Sequence, residues 1–131
     1  MSTLNNLTVL GSGVLGGQIA WHSAYKGKTV VVYDINEDAL TRCRAAHEHY
    51  AGIYLQDVGA SAADIAATRS RLSFTTDLAA AVAKAGLVIE SVPEIPEVKT
   101  SVYAKMAPLL PDPDRVRLRV TLAAEDAAAL Y

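Results

Sequence analysis

The sequence contains a single cysteine, Cys43, in 131 residues. No disulfide can close within the chain, which excludes a small bridge-held scaffold and points to a reducing compartment. Long apolar runs are also missing. No window reaches the roughly 18 uninterrupted apolar residues of a membrane span, and the start "MSTLNNLTVL" has no cationic segment ahead of its apolar stretch. A soluble, cytoplasmic protein with no membrane partner is expected, and Asn6-Leu7-Thr8 matches a glycosylation sequon only by chance. Charge of one sign is lacking as well: 12 Lys and Arg against 14 Asp and Glu leave a net charge of -2 with no basic stripe. That excludes the usual nucleic-acid and anionic-lipid footprints. Cys, His and acidic residues show no metal-ligand spacing, so no metal site is expected.

What is present is an apolar half, 51% of the residues, enough for one domain with a real core and too little chain for two. Glycine is concentrated. "TVLGSGVLGGQIA", residues 8 to 20, holds Gly11, Gly13, Gly16 and Gly17 directly behind an apolar run. Glycine costs backbone entropy on folding and adds no packing, so the cluster needs a compensating reason.

The hydrophobic pattern supplies the context. Leu7 to Leu10 reads as a buried strand running into the glycines. From Val14, apolar and small residues recur at three- and four-residue steps up to "YKGK", where Gly27 suits a left-handed helix cap. "TVVVY" at 29 to 33 has the β-branched, unalternating character of a strand buried on both faces, and it ends on Asp34. Asn36 can cap a long helix whose Ala39, Cys43, Ala46, Tyr50 and Ile53 form a narrow seam. After "VGAS", Ala62, Ile65 and Ala66 continue a second stripe, so residues 36 to about 70 read as a helical hairpin projecting from the sheet. "RLSF" returns as a strand. Asp77 caps the alanine-rich "LAAAVAKAG", closed by Gly86, and "LVIESV" at 87 to 92 is another buried strand. Pro96 starts a helix running to about Ala107, before Pro108, Pro111 and Pro113. "RVRLRV" at 115 to 120 alternates Arg with aliphatic residues, as an edge strand does, and a short helix-like tail follows. The expected fold is α/β: a Rossmann-type, doubly wound, mostly parallel sheet with the hairpin inserted after the second strand.

Gly11, Gly13 and Gly16 satisfy G-x-G-x-x-G after a strand, at the start of a helix and inside a β-α-β unit, and Asp34 ends the next strand. In this arrangement the first glycine makes the tight turn, the second lets a pyrophosphate approach the backbone, and the third lets the helix pack closely. The stretch Gly11, Ser12, Gly13, Val14, Leu15 and Gly16 is the expected cofactor-binding loop, its helix N-terminus facing the phosphates. Asp34 would accept hydrogen bonds from the adenosine ribose diol and repel a 2′-phosphate, and "DINED" brings no arginine, so NAD is expected and not NADP. The competing reading makes the glycines turn punctuation and Asp34 a surface residue. His22, His47 and His49 fall within helices and read as packing or surface residues, and Cys43 as a small core residue.

"LGSGVLGGQIA", "VVYDIN", "FTTDLAAAV", "AGLVIESVPE" and the segment from Pro96 to Ala107 together resemble the N-terminal, NAD-binding domain of the 3-hydroxyacyl-CoA dehydrogenase family. The resemblance runs in order from residue 7 to about 112. It implies an oxidoreductase of fatty acid metabolism acting on an acyl-CoA or simpler 3-hydroxy acid, with Glu94 and Lys99 beside the cofactor on the nicotinamide side and the hairpin facing the CoA moiety. It also implies a helical C-terminal domain that completes the site and dimerises. These residues do not supply that domain, nor the family's Asn-Thr-Ser strand or proton-accepting histidine, so no catalytic residue is assigned. A homo-oligomer or a separately encoded helical domain would then be the partner. Residues 1 to 112 are read as the NAD-binding domain and 113 to 131 as a divergent edge strand and tail, from a shifted reading frame or a truncated ancestor. The alternative is a non-catalytic NAD(H)-binding module or truncated remnant.

Overall fold

The computed structural model describes residues 5–91 and 104–109, together with the backbone of 117–120. Five strands form one sheet: β1 (Asn6–Leu10), β2 (Thr29–Tyr33), β3 (Leu72–Thr75), β4 (Leu87–Glu90) and β5 (Arg117–Val120). Their spatial order is β3-β2-β1-β4-β5, and every pairing is parallel. β5 pairs with the outer side of β4 and is the last strand in the order among the described residues.

Helices cover both faces, as the strands' apolar character requires. On one face α1 (Val14–Tyr25) and α2 (Glu37–Ile53) enclose Leu7 and Val9 of β1, Val30 and Val32 of β2, and Ala20, Ala24, Leu40 and Cys43 of the helices. On the other, α4 (Leu78–Val82) and the helical turn at 104–106 close over Leu10 and Val88 with Ala81, Val82 and Met106. β1 alternates between the two, and its inward Thr8 is satisfied by donating from Oγ1 to the Ala81 carbonyl at 2.5 Å.

Each boundary has a local cause. Gly27 takes φ +109° after α1, and its N–H and that of Lys28 cap the Ala24 and Ser23 carbonyls. Asn36 Oδ1 accepts from the backbone N–H of Asp38 at 2.8 Å and of Ala39 at 3.3 Å, fixing the start of α2. Between α2 and α3 (Ala62–Ser70) the helix loosens into a π-turn, Tyr54–Val58, which Gly59 ends at φ +80°. Ser61 and Asp64 then make a reciprocal capping box for α3.

Three expectations are corrected. The buried stripe of α2 is Leu40, Cys43, His47 and Ala51, not the seam from Ala39 to Ile53: Cys43 belongs to both, but Ala39, Ala46 and Tyr50 are half-buried and Ile53 is exposed. The stripe is turned because α2 packs against both α1 and β3 and not only against its hairpin partner. On α3, Ile65 and Thr68 are buried while Ala62 and Ala66 face solvent. The hairpin is anchored, with Ala51, Ala60 and Ile65 closing around Trp21 of α1. Third, α4 stops at Val82, well before Gly86, because the Gly86 N–H is taken by the Asn6 carbonyl at 2.9 Å and the chain has already joined the sheet. Of the helix expected from Pro96 to about Ala107, only 104–106 and the 3-10 turn Ala107–Leu109 fall among the described residues, and the expected tail beyond 120 lies outside them.

Leu40→Ala should lower unfolding free energy by about 2–5 kcal/mol, the usual range for a buried leucine, whereas Ile53→Ala should cost under about 1 kcal/mol. Urea denaturation of both variants checks this. Equal losses would put the packing stripe back on the 39-to-53 seam.

Candidate functional site

The order β3-β2-β1-β4 reverses direction at β1, and the crevice of a doubly wound sheet lies beyond the carboxyl ends of the strands at that switch. There Gly11 follows β1, and Ser91 after β4 donates its N–H to the Leu10 carbonyl at 2.7 Å. Gly11 turns at φ +103°, a region that L side chains rarely adopt, while its N–H still bonds the Tyr33 carbonyl at 2.8 Å.

Gly16 answers for the third motif position. A Cβ there would run into the Gly11 carbonyl oxygen and sit 3.4 Å from Ser91 Cβ, so a hydrogen is all that fits. Gly13 is the opposite case. Among the described residues nothing lies within 4 Å of a Cβ built on it, so its backbone borders open space there. Gly13 is also the N-cap of α1, extended and without a side-chain cap, and the first turn carries no acidic residue. Gly17 donates back to the Gly13 carbonyl at 2.7 Å, which leaves the N–H groups of Val14, Leu15 and Gly16 aimed out of the helix end. A backbone of this kind suits an anion. Val14, Leu15 and Ile35 are exposed apolar side chains, and Val14 also lines the cleft described below.

Asp34 is brought to the loop. Its Oδ2 accepts from Ser12 N at 3.0 Å and Ser12 Oγ at 2.8 Å, and its Oδ1 from Asn36 N at 3.1 Å. The carboxylate therefore clamps the loop in addition to standing at its edge, a contact that the sequence reading missed although Ser12 inside the motif was its signal. A carboxylate offers about four acceptor sites, so these three bonds leave about one for a ribose hydroxyl, and a second requires the Ser12 hydroxyl to turn away.

A cleft of about 210 Å³ opens between Ser12, Gly13 and Gly17 on one side and Ala39, Arg42 and Cys43 on the other. Ala46 and Tyr50 extend the same wall. The residues read as a packing seam on α2 are thus largely cleft lining. Arg42 went unnoticed because it lies beyond "DINED"; its place three residues after Ala39 and one before Cys43 is the signal that would have found it. Glu94 and Lys99 lie outside the described residues.

Behind the loop, His47 donates from Nε2 to the Gly17 carbonyl at 2.8 Å. Burial pushes its pKa below the ordinary value, partly opposed by that bond and by Glu48. Cys43 is buried beside it, and desolvation, helped by Asp34, pushes the thiol up to about 11, so it is an inert core group. His22 is exposed and meets the Tyr54 hydroxyl at 2.7 Å, and His49 faces solvent. Among the described residues no group of His, Cys, Asp and Glu could hold a metal ion, and no helix is long and apolar enough to cross a membrane.

A glycine loop closing the first strand of a parallel doubly wound sheet, an uncapped helix end above it and an acid at the end of the second strand define a Rossmann-type NAD-binding domain. The sequence matches the family 3-hydroxyacyl-CoA dehydrogenase, NAD binding domain, over residues 6–114, and the chain belongs to that family. It is 30% identical over 115 residues to a probable 3-hydroxyacyl-CoA dehydrogenase of Caenorhabditis elegans, covering 81% of this chain and 36% of that protein. Among solved structures, a diketoreductase acting on dicarbonyl compounds is 36% identical with a TM-score of 0.80, covering 98% of this chain and 46% of the other. The 3-hydroxybutyryl-CoA dehydrogenase of Escherichia coli K12 is 32% identical with a TM-score of 0.81, over 89% of this chain and 24% of that one. This chain therefore spans under half the length of each of these relatives.

Because the unfolded chain binds a proton that buried His47 resists, stability should fall as pH drops below about 6.5 and level off above it. Urea midpoints measured from about pH 5 to 8 check the sign, and His47→Leu should flatten that part of the profile. A wild-type profile flat across this range would show that His47 keeps its ordinary proton affinity.

Proposed function

We propose that this chain is the cofactor-holding part of a dehydrogenase that moves a hydride between NAD and a 3-hydroxyacyl substrate. The observation that carries the reading is the open space over Gly13, beside the free N–H groups of the first turn of α1 and within one loop of the Asp34 carboxylate. In this proposal Gly11, Ser12, Gly13, Val14, Leu15 and Gly16 hold the pyrophosphate and Asp34 the adenosine ribose. Bound NAD supplies the hydride acceptor. Glu94 and Lys99 stand on the nicotinamide side, as the family resemblance implies, and the substrate is an acyl-CoA or simple 3-hydroxy acid facing the α2–α3 hairpin.

In this reading the site is completed by a helical domain that these 131 residues do not contain, or the chain pairs as a homo-oligomer. A specific observation favours binding without turnover by the 131-residue chain alone: of its three histidines, His47 is buried behind the loop, His22 and His49 are exposed, and none lines the cleft. A secondary alcohol gives up its proton to a base within about 3 Å or through one water, a step normally worth about 10²–10⁴ in rate.

Calorimetry should find NAD(H) bound in preference to NADP(H). Asp34→Ala should weaken NAD binding by about 1.5–3 kcal/mol, the range for a hydrogen bond to a charged group. Gly13→Val should abolish binding yet leave the urea midpoint in place, since its side chain points into open space. Equal affinity for both cofactors, or unimpaired binding by Gly13→Val, refutes the placement. In steady-state assays with a 3-hydroxyacyl-CoA, the pure chain should match a no-enzyme control until a helical-domain partner is added. Robust turnover lost on mutating His22, His47 or His49 would overturn that expectation.

A further inference from the structure

The motif accounts for Gly11, Gly13 and Gly16 but leaves Gly17 and His47 unexplained. Gly17 is buried in the first turn of α1, facing α2, and a Cβ on it would stand 3.3 Å from Cys43 Sγ and 3.9 Å from His47 Nε2. Its carbonyl is approached from outside the helix by the His47 ring, with Nε2 at 2.8 Å. A carbonyl only accepts, so the hydrogen is on Nε2 and Nδ1 is bare; that atom is buried with no partner among the described residues. The ring is held by Trp21 at 5.4 Å, Phe74 at 5.7 Å and Tyr50 at 6.0 Å between centroids. A polar ring placed at this depth, with one nitrogen left unpaired, is costly unless the bond that it does make matters.

That bond reaches the cofactor loop in two steps. Gly17 receives His47 on its carbonyl and donates its own N–H to the Gly13 carbonyl at 2.7 Å, and Gly13 borders the open space. We infer that His47 is a positioning residue for the dinucleotide loop: it pins the first turn of α1 to α2 and so sets the aim of the N–H groups that face the pyrophosphate. A Cβ at Gly17 would ask Cys43 to give by a few tenths of an ångström, so glycine eases this close approach of α2. The inference rests on the proposed NAD(H) site and goes beyond it by assigning a determinant of cofactor affinity that does not touch the cofactor.

The test compares the full chain with His47→Leu, which keeps the apolar fill and removes the donor, and His47→Gln, whose amide nitrogen falls near the place of Nε2. NADH binding is read by its fluorescence and folding by urea denaturation. His47→Leu should raise the NADH Kd about fivefold, the net worth of one hydrogen bond expressed as an affinity ratio. His47→Gln should return it to within about twofold of wild type whatever its urea midpoint, a rescue that a purely structural role would not produce. Wild-type affinity in folded His47→Leu, or equal weakening in both variants, overturns the inference while leaving the site intact. Failure of the wild-type chain to bind NADH overturns the site and this inference together. A further readout needs no variant: the His47 Nε2–H proton resonance of the wild-type chain should shift when NADH is added, and a resonance that stays in place overturns the positioning role.

Discussion

The contact between Gly16 and the Gly11 carbonyl sets the distance on which the rest of the molecule depends. With only a hydrogen at Gly16, α1 can begin against the end of β1 instead of one side-chain width away. That short approach places the uncapped helix end over the sheet's switch point, and it lets α1 lie flat enough for Ala20 and Ala24 to share a core with Val9 and Val32. A methyl group at one position would separate helix from loop, and both the packing and the opening would change together.

Two further contacts hold the loop from either side. Asp34 ties Ser12 to the end of β2, and His47 ties Gly17 to α2. The loop between them is rich in glycine and would be mobile by itself. Anchoring it at its flanks holds Gly13 through its carbonyl while leaving its outer side exposed, so that the free surface is backbone and the rigidity comes from elsewhere. Preorganised donors of this sort lose little entropy when an anion arrives.

The α2–α3 hairpin serves two surfaces at once. Its buried stripe closes on α1 and β3, while a neighbouring strip through Ala39, Arg42, Ala46 and Tyr50 walls the cleft. Small residues on that strip keep the cleft open, and among the described residues Arg42 adds a cation beside the helix end and the Asp34 carboxylate. Away from the cleft, the exposed Arg69–Glu48 pair joins α3 back to α2, a contact whose contribution in solvent is small.

The sequence by itself determined the order of strands and helices from Asn6 to Glu90, the caps at Asn36 and Asp77, the parallel sheet and the glycine loop with its acid at the end of β2. These are local matters: periodicity, turn chemistry and backbone permission are written in neighbouring residues. Only the tertiary structure decided that Leu40 and His47, not Ala39 and Ile53, face the core, that α4 stops at Val82, and that Asp34 grips Ser12. A helix's apolar stripe can be read to within one residue's rotation, about 100°, and its partners settle the remainder. α2 meets both α1 and β3, and that double contact turned it. For the same reason Arg42 came to the cleft and His47 to Gly17, contacts 30 residues apart in sequence for the second pair, where no local pattern carries the information.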